Sequence, residues 1–399
     1  MIPAAALLAL LGSLPEAAPG PAPLLPVTRG TTKSGVAVVV VAAPDSPWAV
    51  AQLHLRLDAS EITPKTRSAT SAWAAQLAEV GRASIGPNGT IEQRLTPESL
   101  VLSFGVEAAH VVDAIAAIDS VLRARSNRPG SPPPRPPAPL SVVDDVVDAA
   151  TARALFPGEA LALSTEGGVL DATTARSLGD VLNTKSDDTG TLPRLAIVVV
   201  GPGSGEALLA QVNHFLTAPI RPTLVTAQPT RRKASVTISE QEGPSSSSSL
   251  TLLIPPRHDA AELLVLAALL GGHLVRSSGA VGIVVDVTAA DRRALVEAEN
   301  DAVDQVRRVA AAPPPPEVVD AAREQVLAAR LSSLNDPARV AHALGQAVLD
   351  GRPTRVEDEI ASLQALTPTK VSLAAAALAA AAVIIVRTPG PEPTSSASP

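Results

Sequence analysis

The segment Leu170-Asp171-Ala172-Thr173-Thr174, a helical pattern, and then Ile197-Val198-Val199-Val200-Gly201 has a later echo. It returns as Leu363-Gln364-Ala365-Leu366-Thr367, a helical pattern, and Val383-Ile384-Ile385-Val386. In each copy a turn leads into a helix and then into a β-branched run that reads as a buried strand. A repeat at this spacing implies two related units. A chain of 399 residues is also longer than one core usually supports. The expected fold class is α+β: two related α/β sandwich domains, each a mainly antiparallel sheet packed against helices.

Working outward, Val36 to Val41 is a continuous β-branched run bounded by Gly35 and by Pro44-Asp45-Ser46-Pro47. Val50 to Leu57 alternates, with Gln52, His54 and Arg56 set against Leu53, Leu55 and Leu57. A helix is expected from about Ser68 to Val80, closed by Gly81. Strands are expected over Ala83 to Arg94 and Ser99 to Val106, then a helix from Ala108 to Arg125. The Pro-rich stretch 128–140 reads as an extended link, helical Val142 to Leu155 leads to Phe156-Pro157-Gly158, and Glu206 to Leu216 closes the first unit as a helix.

The second unit repeats the order. Strands are expected at Ala234 to Ser239, Leu250 to Ile254 and Val281 to Val287, with Ser245 to Ser249 as a loop. Helices are expected at Ala260 to Leu270, Asp291 to Ala311, Pro316 to Leu334 and Pro337 to Leu349. Residues 217–229 read as the linker. The expected division is a leader at 1–26, domains at 27–222 and 223–390, and a disordered tail at 391–399.

Composition excludes several functions. The chain has no Cys and no Tyr, three Phe and two Trp, and a net charge of −7. Without cysteine there are no disulfides, thiolate zinc sites or iron–sulfur clusters. No basic stretch is longer than Arg231-Arg232-Lys233, so the concentrated positive surface that nucleic acid needs is missing. Ala4 to Leu14 followed by Pro/Ala-rich 15–26 matches the core and cleavage region of an export signal and is too short to span a bilayer. A periplasmic or secreted bacterial location is expected, with no integral membrane span; the apolar run Val371 to Val386 reads as helix plus strand.

Four patches carry a resemblance along nearly the whole chain. Lys33-Ser34-Gly35-Val36-Ala37-Val38-Val39-Val40, Phe156-Pro157-Gly158, Leu195 to Gly201 and Leu269-Leu270-Gly271-Gly272 occur in an order and spacing similar to the pitrilysin/insulinase-type metallopeptidases. That family carries an inverted zinc motif, H-x-x-E-H, on the helix between its early strands. Two imidazoles hold the metal and the glutamate deprotonates the bound water. The resemblance puts Ala72, Ala75 and Gln76 at the three motif positions, and a distal carboxylate ligand near Asp144 or Asp145. An alanine methyl coordinates nothing, and a Gln amide is a poor zinc ligand. No catalytic residue, metal or cofactor is therefore assigned, and the resemblance implies an inactive homologue.

The resemblance further implies a subunit that pairs with an active zinc metallopeptidase homologue as a heterodimer, or with itself, in a role that could extend to peptide binding. The alternative is a stand-alone scaffold. Some inactive members contribute an Arg and a Tyr from the second domain; here Arg276 is the candidate and Tyr is absent. The stretch His273-Leu274-Val275-Arg276-Ser277-Ser278-Gly279 runs straight into a strand, which implies the loss of one loop and one strand.

Other motifs have structural readings. Gly201-Pro202-Gly203-Ser204-Gly205 lacks both the dinucleotide fingerprint and the Lys-Ser/Thr of a phosphate loop, and reads as a turn. The six histidines, at 54, 110, 214, 258, 273 and 342, include no i, i+4 pair. Each is expected to be solvated or hydrogen-bonded, with His273 the one best placed to line a groove.

Overall fold

The computed structural model describes residues 25–56, 70–87, 89–95, 99–124, 192–218, 224–225, 236–240, 245–254, 260–277, 280–352, 356–380 and 382–389. The first sheet contains β1 (Val27–Thr31), β2 (Ala37–Ala42), β3 (Trp48–Arg56), β4 (Thr90–Leu95), β5 (Ser99–Glu107) and β7 (Leu195–Gly201), in the order β1-β2-β7-β3-β5-β4. A two-stranded ribbon pairs β6 (Leu192–Pro193) with β8 (Leu224–Val225), so the expected linker contains a short strand. The second sheet contains β9 (Val236–Glu240), β10 (Ser245–Ile254), β11 (His273–Ser277), β12 (Ala280–Thr288) and β13 (Ala382–Pro389), in the order β11-β12-β10-β13-β9.

Read from its other edge, the second order is β9-β13-β10-β12-β11, which superposes in topology on β2-β7-β3-β5-β4. The pairings agree in sense as well. β2 with β7 and β9 with β13 are the parallel pairs. The other neighbours in these two sheets run antiparallel. The α+β class and the duplication are therefore both present, and β7 and β13 are the equivalent strands that the repeated β-branched runs mark. The helical part of the first copy, with 128–140, Val142 to Leu155 and Phe156-Pro157-Gly158, lies outside the described residues.

Helices cover one face of each sheet. On the first lie α1 (Thr70–Ile85), α2 (Val111–Ala124) and α3 (Gly205–Phe215). In α1, Trp73, Ala74, Leu77, Ala78 and Ile85 are buried at helical spacing and join Leu53, Leu55, Leu102, Phe104 and Ile118 in one core. On the second sheet lie α4 (Ala260–Leu269), α5 (Arg292–Ala311) and α9 (Pro368–Ala379). Between α5 and α9 in the chain come α6 (Pro316–Ser333), α7 (Pro337–Leu349) and α8 (Val356–Gln364). α9 buries Val371, Ala374, Ala375 and Leu378, whose small side chains let it approach α5 closely. The helix starts follow capping chemistry: Asp291, Asp336, Ser204 and Thr367 each accept a backbone N–H with the side chain.

Several expectations are corrected. Gly81 does not close α1, which continues to Ile85, so the strand expected from Ala83 begins only at Thr90. The reason is tertiary: a Cβ at residue 81 would overlap the Phe104 ring, so glycine serves as a close-approach site within the helix. The Ser245 to Ser249 run is strand, not loop, because β12 and β13 flank it on both sides. The strand expected to be lost after Gly272 is present as β11, and it occupies the place that β4 holds in the first sheet. Among the described residues, no helix is long and apolar enough to cross a membrane.

A buried ion pair ends the second core. Arg387 on β13 and Glu299 on α5 meet through two hydrogen bonds of 2.9 and 2.7 Å, with side chains 8% and 4% exposed. Removing one partner of such a pair strands the other charge in a low-dielectric setting. Glu299→Ala is expected to lower unfolding stability by about 3–5 kcal/mol, while Glu299→Leu combined with Arg387→Met restores most of it. Urea melts of the three proteins measure both effects. Gly81→Ala is expected to lose about 1–3 kcal/mol by overpacking against Phe104, overriding the gain of roughly 1 kcal/mol an alanine gives in a free helix; a raised urea midpoint would contradict this.

Candidate functional site

Two places concentrate the features relevant to function: helix α1, and the other face of the first sheet. On α1, Ala72, Ala75 and Gln76 lie at i, i+3 and i+4, so they share one strip of the helix. All three are half-buried, beside the fully packed Trp73, Ala74, Leu77 and Ala78. The titratable groups of α1 are Glu79 and Arg82, which pair with each other at 3.1 Å on an exposed turn. Among the described residues, no group of three or more His, Cys, Asp or Glu is placed to hold a metal ion. Asp144 and Asp145 lie outside the described residues. Arg276 sits on β11, opposite Val281 of β12.

The other face of the first sheet would normally be polar. Instead it is closed by α7, a helix from the second half of the chain. Val39, Val41, Val50, Val198 and Val200 point to this side and pack against Val340, Ala341 and Leu344 of α7. The alternating polar set of β3 faces the same way. Gln52 donates through Nε2 to Ser103 Oγ at 3.1 Å and to the Ala338 carbonyl at 3.0 Å. Since both contacts use the amide nitrogen, Gln52 Oε1 is the acceptor for His54 Nε2–H at 3.0 Å. Arg56 donates through Nη2 to the Leu349 carbonyl at 2.7 Å and pairs with Asp350 at 3.3 Å. The strand thus makes polar contacts with both ends of α7 and sets His54 between them.

His54 is wholly buried. Its neighbours across the sheet are Val101 and the small Ala196, and Gly345 of α7 has no Cβ where one would overlap the imidazole. The His342 ring lies 5.7 Å away, tilted by 34°. Burial, then the neighbouring His342, lowers the His54 pKa from 6.5 to about 3, with a smaller opposing pull from the Ala341 backbone. His342 falls from 6.5 to about 4 through burial and the Arg94 charge. The neutral His54 tautomer leaves Nδ1 buried without a hydrogen-bond partner.

Of the other histidines, His110 pairs with Asp113 at 3.2 Å and His214 packs edge-on against Phe215. His273 is exposed on edge strand β11, and His258 is outside the described residues. The Gly201 to Gly205 segment is a turn, with Gly203 at φ 97° and Ser204 as the cap of α3. Sequence reading therefore missed the pairing of His54 with His342. The available signal was the Gln52-His54-Arg56 alternation, polar residues at spacing two on a strand flanked by apolar ones.

No protein-family model and no curated protein matches the sequence. Solved structures do match its shape. The peptidase M16 inactive domain from Pseudomonas fluorescens has a TM-score of 0.66 at 17% identity, covering 92% of this chain and 98% of that one. A chain of complex III from Candida albicans has a TM-score of 0.71 at 14% identity, covering 91% and 96%. An M16-like peptidase from Alicyclobacillus acidocaldarius has 0.64 at 10%, covering 92% and 99%. The chain has the M16 metallopeptidase fold. The M16 fold spans both halves of this chain, and α1 lies between β3 and β4 within it.

The seam depends on Gln52, which alone touches Ser103, His54 and α7. Gln52→Ala is expected to destabilise the protein by about 1–3 kcal/mol, since it removes the partner of His54 Nε2 in a buried site. A urea midpoint unchanged from wild type would show that the seam is not a stabilising contact.

Proposed function

We propose that this chain is a non-catalytic subunit of M16 fold, with domains at 27–222 and 223–390. It pairs with an active zinc metallopeptidase homologue as a heterodimer and completes or stabilises that enzyme's chamber. The carrying observation is the combination of whole-chain fold likeness with a sequence that contains no H-x-x-E-H. On the proposed correspondence, Ala72, Ala75 and Gln76 stand where the two histidines and the glutamate would be. Losing a general base alone lowers a rate by about 10²–10⁴, and here the zinc ligands are missing as well. The similarity to an inactive M16 domain supports this reading. The leader at 1–26 supports export, which would put the pair in a bacterial periplasm or outside the cell.

A second reading, a stand-alone scaffold or peptide-binding protein of the same fold, is supported by the similarity to a chain of complex III. Affinity capture from the native host separates the two. Co-purification of an H-x-x-E-H protein at near-equal amount is the expected result; recovery without one favours the scaffold. The purified chain is expected to hold well under one zinc per molecule and to show no chelator-sensitive peptidase activity. Stoichiometric zinc by elemental analysis would overturn the non-catalytic reading.

A further inference from the structure

We propose that the seam between α7 and the first sheet is an acid-released latch: protonation of His54 and His342 frees α7 from the sheet while each half keeps its own core. This concerns how the two halves are joined and stands whether or not the chain has a protease partner.

The geometry leaves no room for added charge. His54 is enclosed by Val101, Ala196 and Gly345, and His342 lies against it. The charged groups on the packed elements are Arg56 on β3, Glu92 and Arg94 on β4, Arg194 at the head of β7, and Asp336, Arg339, Asp350 and Arg352 around α7. The strands β2 and β5 offer only apolar or hydroxyl side chains at this level. Asp350 is engaged by Arg56 and Arg352, and Asp336 caps α7 and pairs with Arg339. A proton on either imidazole therefore meets the other ring and the nearby Arg94, while Glu92, the carboxylate on the same face of β4, is exposed and lies opposite Ser103 rather than beside either ring. The Ala341 carbonyl is the one group that favours the charged His54.

The sign follows from linkage. Both histidines have folded-state pKa values below their unfolded ones, about 3 and about 4 against 6.5. Their contribution to docking is fully present above pH 6.5 and is lost as pH falls from there through about 4. Two such groups weaken docking by several thousand-fold, on the order of 10⁴, between pH 7.5 and 4.5. Release is confined to the seam because the cores lie elsewhere. The first is built on α1, α2 and α3, on the opposite face of the sheet from His54, and the second on α4, α5 and α9.

The absence of cysteine makes the test direct. Three single reporters are compared in the full chain: Ala341→Cys in the seam, Ala117→Cys in the first core and Ala375→Cys in the second, all at sites 0% exposed. Each is reacted with 4,4′-dithiodipyridine from pH 7.5 to 4.5, with rates normalised to free cysteine. The expected result is a rise of 10²-fold or more at residue 341 while residues 117 and 375 stay protected. A joint rise at all three sites, meaning acid unfolding of the whole chain, overturns the proposal, as does no rise at residue 341. His342→Gln in the Ala341→Cys background should cut the acid response at least tenfold, and adding His54→Gln should abolish it. Since His342 is only partly buried, its variant remains informative if the double variant does not fold, and an unchanged response in it rejects the latch.

Discussion

The constraint on which the rest depends is that β2 and β7 are apolar on both faces, with Val50 of β3 extending the second apolar face. Val38, Val40, Leu53, Leu55, Ile197 and Val199 point into the core under α1, α2 and α3. Val39, Val41, Val50, Val198 and Val200 point the other way. A single half of the chain that covered only one face would leave a valine surface open to water, which solvent-facing sheets avoid. The second half supplies the missing cover as α7. Duplication therefore does more than make a second copy. It gives the first sheet a lid that its own segment of chain does not provide among the described residues.

That arrangement separates the fold from the chemistry. Helix α1 is held by Trp73, Ala74, Leu77, Ala78 and Gly81, all facing the core or Phe104. The strip formed by Ala72, Ala75 and Gln76 contributes little to this packing. Residues there can change with less effect on the core than changes at Trp73 or Leu77. The ion pair of Glu299 and Arg387 makes the same point in the second half: buried charge is kept where it is paired at 2.7 Å, at the end of a core.

Much of the fold was legible in the sequence, and the illegible parts share one cause. The β-branched runs at Val36 to Val41, Ile197 to Val200 and Val383 to Val386 are strands because nothing else buries such residues so well. The ends of α5, α6 and α7 followed proline and aspartate signals that act locally. Gly81 misled because its stop signal is a local propensity, and Phe104, distant in sequence, outweighed it. The serines at 245–249 have weak strand preference, yet two flanking strands hold them in register. Strand β11 was missed because its His273, Arg276 and Ser277 look like a loop until β12 pairs with them. As for the candidate site, the sequence contains no H-x-x-E-H, whereas the seam was not legible in it. Gln52, His54 and Arg56 have the pattern of a solvated sheet face, and nothing local announces the helix that covers them.

This last case shows why the polar seam is informative. An apolar lid would cover valines with less risk, because a buried imidazole with a free Nδ1 is destabilising. The seam nevertheless contains Gln52, His54, Arg56 and His342 in a row that fixes where α7 begins and ends. Gln52 reads the Ala338 carbonyl at one end and Arg56 the Leu349 carbonyl at the other, so a slip of one helical turn would unpair both. Hydrophobic contact alone tolerates such slips. The polar row thus sets the register between two halves whose sheets are topologically alike, and the histidines within it make that register dependent on their being neutral.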